Sequence, residues 1–153
     1  MVHATPFLLV LSLAMLAPAL SARKSTPAQC VLDGRWTDDQ SSIMTIEPVS
    51  AECDLKGSYV RDVPETENKL VESPLLGYRD CTDQTQPIFG FTVNWKSSDS
   101  VTVFTGQCFV GEDGKEVLRT MWLLRSHEDS IKDDWKATKV GTTVFTRQSQ
   151  EEE

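Results

Sequence analysis

Turn-forming residues punctuate this chain about every ten positions. Asp38-Asp39-Gln40-Ser41-Ser42, Pro64 to Asn68, Lys96 to Ser100 and Gly111-Glu112-Asp113-Gly114 separate runs rich in Val, Thr, Phe, Tyr and Trp. The stretch FGFTVNWK, residues 89 to 96, shows what such a run is. Phe89, Phe91, Val93 and Trp95 fall on one face, and Gly90, Thr92, Asn94 and Lys96 on the other. A period of two with one apolar face is a strand with one dry side. The same reading places eight strands at 33–38, 42–50, 54–63, 69–80, 86–96, 100–111, 115–126 and 136–147. The segment SHEDSIKDDW, 126 to 135, is short and polar and reads as a loop with a helical turn. Short, evenly spaced strands joined by hairpin turns predict an all-β fold, an eight-stranded antiparallel up-and-down β-barrel whose closure removes the sheet edges. A sandwich is the alternative architecture.

Some strands are apolar on both sides. Leu118, Thr120, Trp122 and Leu124 share one face of their run, while Val117, Met121 and Leu123 share the other. A monomeric barrel leaves its outer face wet, so this pattern predicts an oligomer, or an extra loop laid over the outside.

The start of the chain stands apart from the strands. Residues 6–20, PFLLVLSLAMLAPAL, are almost wholly apolar and are followed by Ser21 and Ala22. That is the pattern of a secretory signal peptide (1–22) cleaved after Ala22, too short and too early for a membrane span. Residues 23–153 then form one exported domain with one core. The whole net charge of −8 falls on that domain, which disfavours nucleic acid and anionic membranes as partners. Glu151 to Glu153 read as a solvated tail. The 4 cysteines, Cys30, Cys53, Cys81 and Cys108, form no CxxC pair, so zinc is not expected. In an oxidising compartment they read as two disulfides, and four cysteines allow three pairings.

Catalytic chemistry is missing. The 2 histidines are His3, in the leader, and His127, in a polar loop, which leaves none for a nucleophilic triad or a metal site. There is no GxSxG, no phosphate-cradling glycine loop and no HExxH. The expectation is a binding protein rather than an enzyme, with no cofactor. Trp95, Phe104, Trp122 and Trp135 lie on late, neighbouring segments. They either line a cavity for a compact ligand with an apolar body and a polar head, or pack together as core.

Motifs along the domain carry a resemblance. DGRWTDD, the Ser42–Ile46 segment, KGSYV, ESPLLG, FGFTVNWK, VFTGQCF, DGKEVLRTMWLLRS and DDWKATKVG closely resemble the avidin family of biotin-binding proteins, in order and over nearly the whole of 23–153. The resemblance implies a homotetramer of barrels, each holding one biotin. It implies that Ser42 and Tyr59 donate to the ligand's ureido oxygen, that Trp95, Phe104 and Trp122 box the bicyclic ring, and that Thr102 faces its sulfur. Trp135 matches a lid tryptophan lent to the neighbouring subunit. Ser98, Ser100 and Thr66 match groups around the valeryl carboxylate, and Leu124 lines the pocket. Met121 and Val140 match positions at a subunit interface. Cys30–Cys108 matches the family's disulfide. Cys53 and Cys81 are additional; one opens the third strand and the other closes the fourth, so both fall at one barrel end and are expected to bridge.

Departures from the family fall inside the pocket. Asp38 stands where the family has an amide that donates to the ureido oxygen, and an ionised carboxylate has no proton to give. Arg61, which can only donate, replaces a threonine that accepts from a ureido N–H. Thr143 replaces an asparagine and can still accept. Ser97 replaces an aromatic, Thr142 replaces an aliphatic interface residue, and Ile43 stands at the family's familiar glycosylation position. The coupled look of the first two changes predicts an Asp38–Arg61 ion pair at the pocket floor, with Arg61 supplying the lost donor. The rivals are a lipocalin-type carrier, which shares Gly34-Arg35-Trp36, and a family member whose altered floor takes biotin weakly or takes another ligand.

Overall fold

The computed structural model describes residues 28–61 and 71–148. The leader at 1–22, the turn at 64–68 with Thr66, and the 151–153 tail lie outside the described residues. Eight strands run β1 (Gly34–Thr37), β2 (Ile43–Ile46), β3 (Asp54–Val60), β4 (Glu72–Arg79), β5 (Ile88–Trp95), β6 (Ser100–Val110), β7 (Glu116–Ser126) and β8 (Thr138–Arg147). Each pairs antiparallel with the next, and β8 returns to β1 through Trp36↔Arg147 and Thr37↔Thr146, closing the barrel. This is the expected up-and-down architecture. The segment read as a helical turn is a 3-10 helix, Ile131–Lys136, whose start is capped by the Ser130 hydroxyl accepting from the Lys132 N–H.

Inward and outward residues alternate as the period of two requires. In β5, Phe89, Phe91, Val93 and Trp95 are buried, while Ile88, Thr92 and Asn94 are exposed. Trp36, Met44, Leu55, Tyr59, Leu75, Phe104, Leu118 and Phe145 complete a single core. The outer faces of β5 to β8 are apolar as well. Ile88, Val103, Met121, Leu123 and Val140 are all exposed.

Up-and-down topology sorts the connections between two ends. The β2–β3, β4–β5 and β6–β7 loops share one end with the N-terminal segment, and the other loops share the opposite end. The first end is tied shut. Cys30 bonds Cys108, with Cα atoms 5.9 Å apart and both residues fully buried. Cys53, just before β3, bonds Cys81, just after β4, at a Cα separation of 6.2 Å, the bridge expected from strand order. The Trp36 indole donates to the Leu32 carbonyl at 2.8 Å, and the Arg147 guanidinium lies 4.0 Å above the Trp36 ring. Arg147 also donates to the carbonyls of Asp33 and Val31, each at 2.6 Å, and to Glu116 at 2.9 Å. Every edge of that cation is used.

Candidate ligand pocket at the open end

The open end begins where β1 stops. Asp38 folds its carboxylate over the β1–β2 loop, accepting the Gln40 N–H at 2.9 Å and the Ser42 N–H at 2.8 Å through Oδ1. This is the local side-chain-to-backbone bonding at which aspartate excels, and it lets Ser41 turn with a φ of 61°. The second oxygen, Oδ2, accepts the Tyr59 hydroxyl at 3.1 Å. Burial first, and then the Asp38 charge, push the Tyr59 phenol far above the usual tyrosine range; the Ser42 hydroxyl and the Arg61 charge oppose the rise. At neutral pH Tyr59 is therefore protonated, and its proton points at Asp38.

Rings surround that phenol. Tyr59 meets Trp95 edge-on with centroids 5.2 Å apart, stacks on Phe104 at 6.0 Å and meets Phe145 edge-on at 6.0 Å. Phe91 stacks on Phe104 at 4.8 Å. Offset and edge-on contacts of this kind suit the ring quadrupoles. Each indole has an acceptor. Trp95 Nε1 donates to Thr102 Oγ1 at 2.7 Å, and Trp122 Nε1 to Thr143 Oγ1 at 3.1 Å. Trp122 sits across from Phe104 on one side and Gly141 on the other. A Cβ at Gly141 would lie 2.4 Å from the Trp122 ring, so only glycine admits that ring there. Leu124, half-buried, continues the Trp122 face of β7. At the rim, the Ser98 and Ser100 hydroxyls share a hydrogen bond of 2.8 Å. A groove of about 350 Å³ opens there, lined by Trp95, Ser98, Ser100, Arg125 and His127 among others.

The sequence-derived set thus divides. Asp38, Ser42, Tyr59, Trp95, Thr102 and Phe104 converge on the barrel interior, with Trp122, Leu124 and Thr143 on the β7–β8 wall. Trp135 does not join them; it projects from the 3-10 helix at 80% exposure. Two rings and a hydroxyl were not among the candidate site residues read from the sequence. Phe91 and Phe145 complete the aromatic cluster, and their signal was the alternation that places Phe145 two residues beyond Thr143. Buried Ser73 accepts the Lys96 N–H at 3.1 Å and anchors the turn behind Trp95.

The expected Asp38–Arg61 ion pair is not formed. The loop N–H groups and Tyr59 claim the carboxylate. Arg61 lies just past the end of β3 and lays its guanidinium 3.9 Å above the Trp95 ring instead. Local hydrogen bonding within four residues of Asp38 outcompetes a partner on the neighbouring hairpin, and a tryptophan face holds the cation. Among the described residues, no cluster of side chains fit to hold a metal ion occurs, and no helix is long and apolar enough to cross a membrane.

Comparison with known proteins agrees with this geometry. The sequence profile of the avidin family matches residues 26–148. Chicken (Gallus gallus) avidin is 56% identical over 151 residues, covering 96% of each chain. Avidin-related protein 4/5 from the same species is 51% identical, again covering 96% of each chain. Among solved structures, Xenavidin superposes with a TM-score of 0.72 at 46% identity, covering 78% of this chain and 99% of its own. A biotin binding protein from chicken superposes equally well, at a TM-score of 0.72 and 47% identity, covering 78% of this chain and 99% of its own. With its closed eight-stranded barrel, its Cys30–Cys108 bond and a family match that spans residues 26–148, the chain belongs to the avidin family.

Proposed function

We propose that this protein binds biotin non-covalently, one molecule per barrel, and withholds or stores it outside the cell. The observation that carries the reading is the ring cluster of Tyr59, Trp95 and Phe104 closed by hydroxyls at Ser42, Thr102 and Thr143, inside a member of a family whose relatives include a biotin binding protein. Catalysis has no part in it, since avidin-family proteins bind rather than convert. Export is supported by the apolar leader at 1–22 and by two disulfides, which persist in oxidising compartments. Ligand contacts are assigned to Ser42, Tyr59, Trp95, Thr102, Phe104, Trp122, Leu124 and Thr143. The rim residues Ser98, Ser100 and Thr66 are assigned to the ligand's acid end.

A homotetramer is part of the same proposal. Exposed Met121 and Val140, at 62% and 70%, stand on the outer face of adjacent strands, and apolar faces of this kind mark an interface. Trp135, left outside its own barrel, caps a neighbour's pocket in this assembly. Thr142, beside Met121 across β7 and β8, weakens the contact. The test is a titration of secreted, oxidised protein with biotin, following tryptophan fluorescence and heat together, with the mass in solution from light scattering. Saturation at one biotin per chain in a particle of four chains is the expected result. A folded tetramer that takes up no biotin would favour the second reading, a changed ligand, which the consumption of Tyr59's proton by Asp38 supports.

A further inference from the structure

We propose that Arg61 is the specificity-determining residue of this pocket, an anion anchor at the mouth that selects ligands carrying a free carboxylate. The inference rests on the biotin reading and narrows it. Four observations lead there.

The guanidinium carbon of Arg61 lies over the Trp95 ring, 3.9 Å from its centroid. Stacking uses the face of a planar cation and leaves the N–H donors on its edge directed outward. Arg61 is itself exposed while Trp95 is 4% exposed, so the cation covers the ring from the solvent side.

Among the described residues, no carboxylate stands within ion-pair distance of Arg61. Two basic groups that line the rim groove are already engaged. Arg125 pairs with Asp134, and His127 lies 3.3 Å from Asp129 and 3.9 Å from Asp99. In a chain of net charge −8, a cation against an aromatic wall with no carboxylate partner among the described residues is complementary to an anion.

Two hydroxyls line the rim groove beside the same ring. Ser100 pairs directly with Trp95 across β5 and β6, and it shares its hydrogen bond with Ser98. A cation and two hydroxyls that each adjoin one indole suit the oxygens of one carboxylate.

The floor, meanwhile, has lost a donor. The Tyr59 proton goes to Asp38, and Asp38 itself only accepts. Recognition is thereby moved from a ligand's carbonyl end to its acid end. Short apolar or heterocyclic carboxylic acids fit this arrangement, and their amides and esters fit it poorly.

The experiment compares free biotin with its uncharged methyl ester, at low and at raised salt, on the oxidised wild-type protein and on Arg61→Thr and Arg61→Lys. A charge-assisted bond at a partly wet site predicts that wild type prefers the acid by about tenfold or more. Raised salt is expected to narrow that gap, Arg61→Thr to close it, and Arg61→Lys to retain part of it. Equal affinity of wild type for acid and ester would overturn the inference while leaving biotin binding intact. So would a preference that survives in Arg61→Thr. Failure of both ligands to bind either protein would overturn the biotin reading and, with it, this refinement.

Discussion

Each end of the barrel holds an arginine stacked on a tryptophan. Arg147 lies 4.0 Å above Trp36 at the tied end, and Arg61 lies 3.9 Å above Trp95 at the open end. Stacking is the same; the edges of the two cations differ. Arg147 donates to Glu116, to Asp33 and to Val31, joining the end of β8 to the start of β7 and to the segment before β1. Arg61 touches the ring without any such set of acceptors among the described residues. A saturated cation locks a barrel, and an open one offers a handle. The comparison separates what keeps this fold closed from what lets it select.

The comparison breaks first, and most visibly, on stability. Arg147→Ala strips a half-buried carboxylate of its partner and frees two carbonyls, an expected loss of about 3 kcal/mol in denaturant unfolding of the oxidised protein. Arg61→Ala removes only a partly wet cation–ring contact, for which a change of about 0.5–1 kcal/mol is expected. Equal losses at the two sites would abolish the distinction.

A smaller effect belongs to the floor. Asp38→Asn keeps the shape of the loop cap, supplies an amide donor and relaxes the hold on the Tyr59 proton. Biotin affinity is expected to rise by about tenfold, the worth of one restored hydrogen bond, read by calorimetric titration. The same substitution leaves the Arg61 stack alone, so the acid-over-ester preference is expected to persist in it. Loss of that preference in Asp38→Asn would tie the two ends of the pocket together.

The smallest effect is one of pH. Burial and the Asp38 charge raise the Tyr59 phenol above its unfolded value of about 10. Above that value the unfolded chain gives up the proton while the folded chain keeps it, so stability falls as pH rises. The contribution is complete below about pH 10 and wanes above it. Comparing denaturant midpoints of wild type and Tyr59→Phe from pH 9 upward isolates the contribution; identical slopes would show that the phenol is not held as described.

Much of this molecule was legible in its sequence because period-two alternation and turn residues are local. All eight strands were placed, with the main differences at their ends; β2 stops at Ile46, before Pro48, and β3 stops at Val60. Once the family resemblance had paired Cys30 with Cys108, the Cys53–Cys81 bridge followed from strand order, since an up-and-down path dictates which strand ends meet. What spacing does not reveal is which of several partners a polar side chain prefers. Asp38 and Arg61 both serve one pocket, and the sequence suggested that opposite charges would pair. The carboxylate turned instead to N–H groups two and four residues away, and the cation turned to a ring on β5. Phe145 escaped for a related reason, because alternation marks it as inward without saying which inward rings touch.

A ring of hairpins has one further consequence. Successive turns alternate between its ends, so the mouth and the fastening of this barrel draw on separate stretches of chain. A lineage can therefore rewrite what the pocket accepts by editing the positions just past β1 and β3, while the stitching around Arg147 and the Cys30–Cys108 bond stays in place. Divergence in this fold has a cheap place to happen.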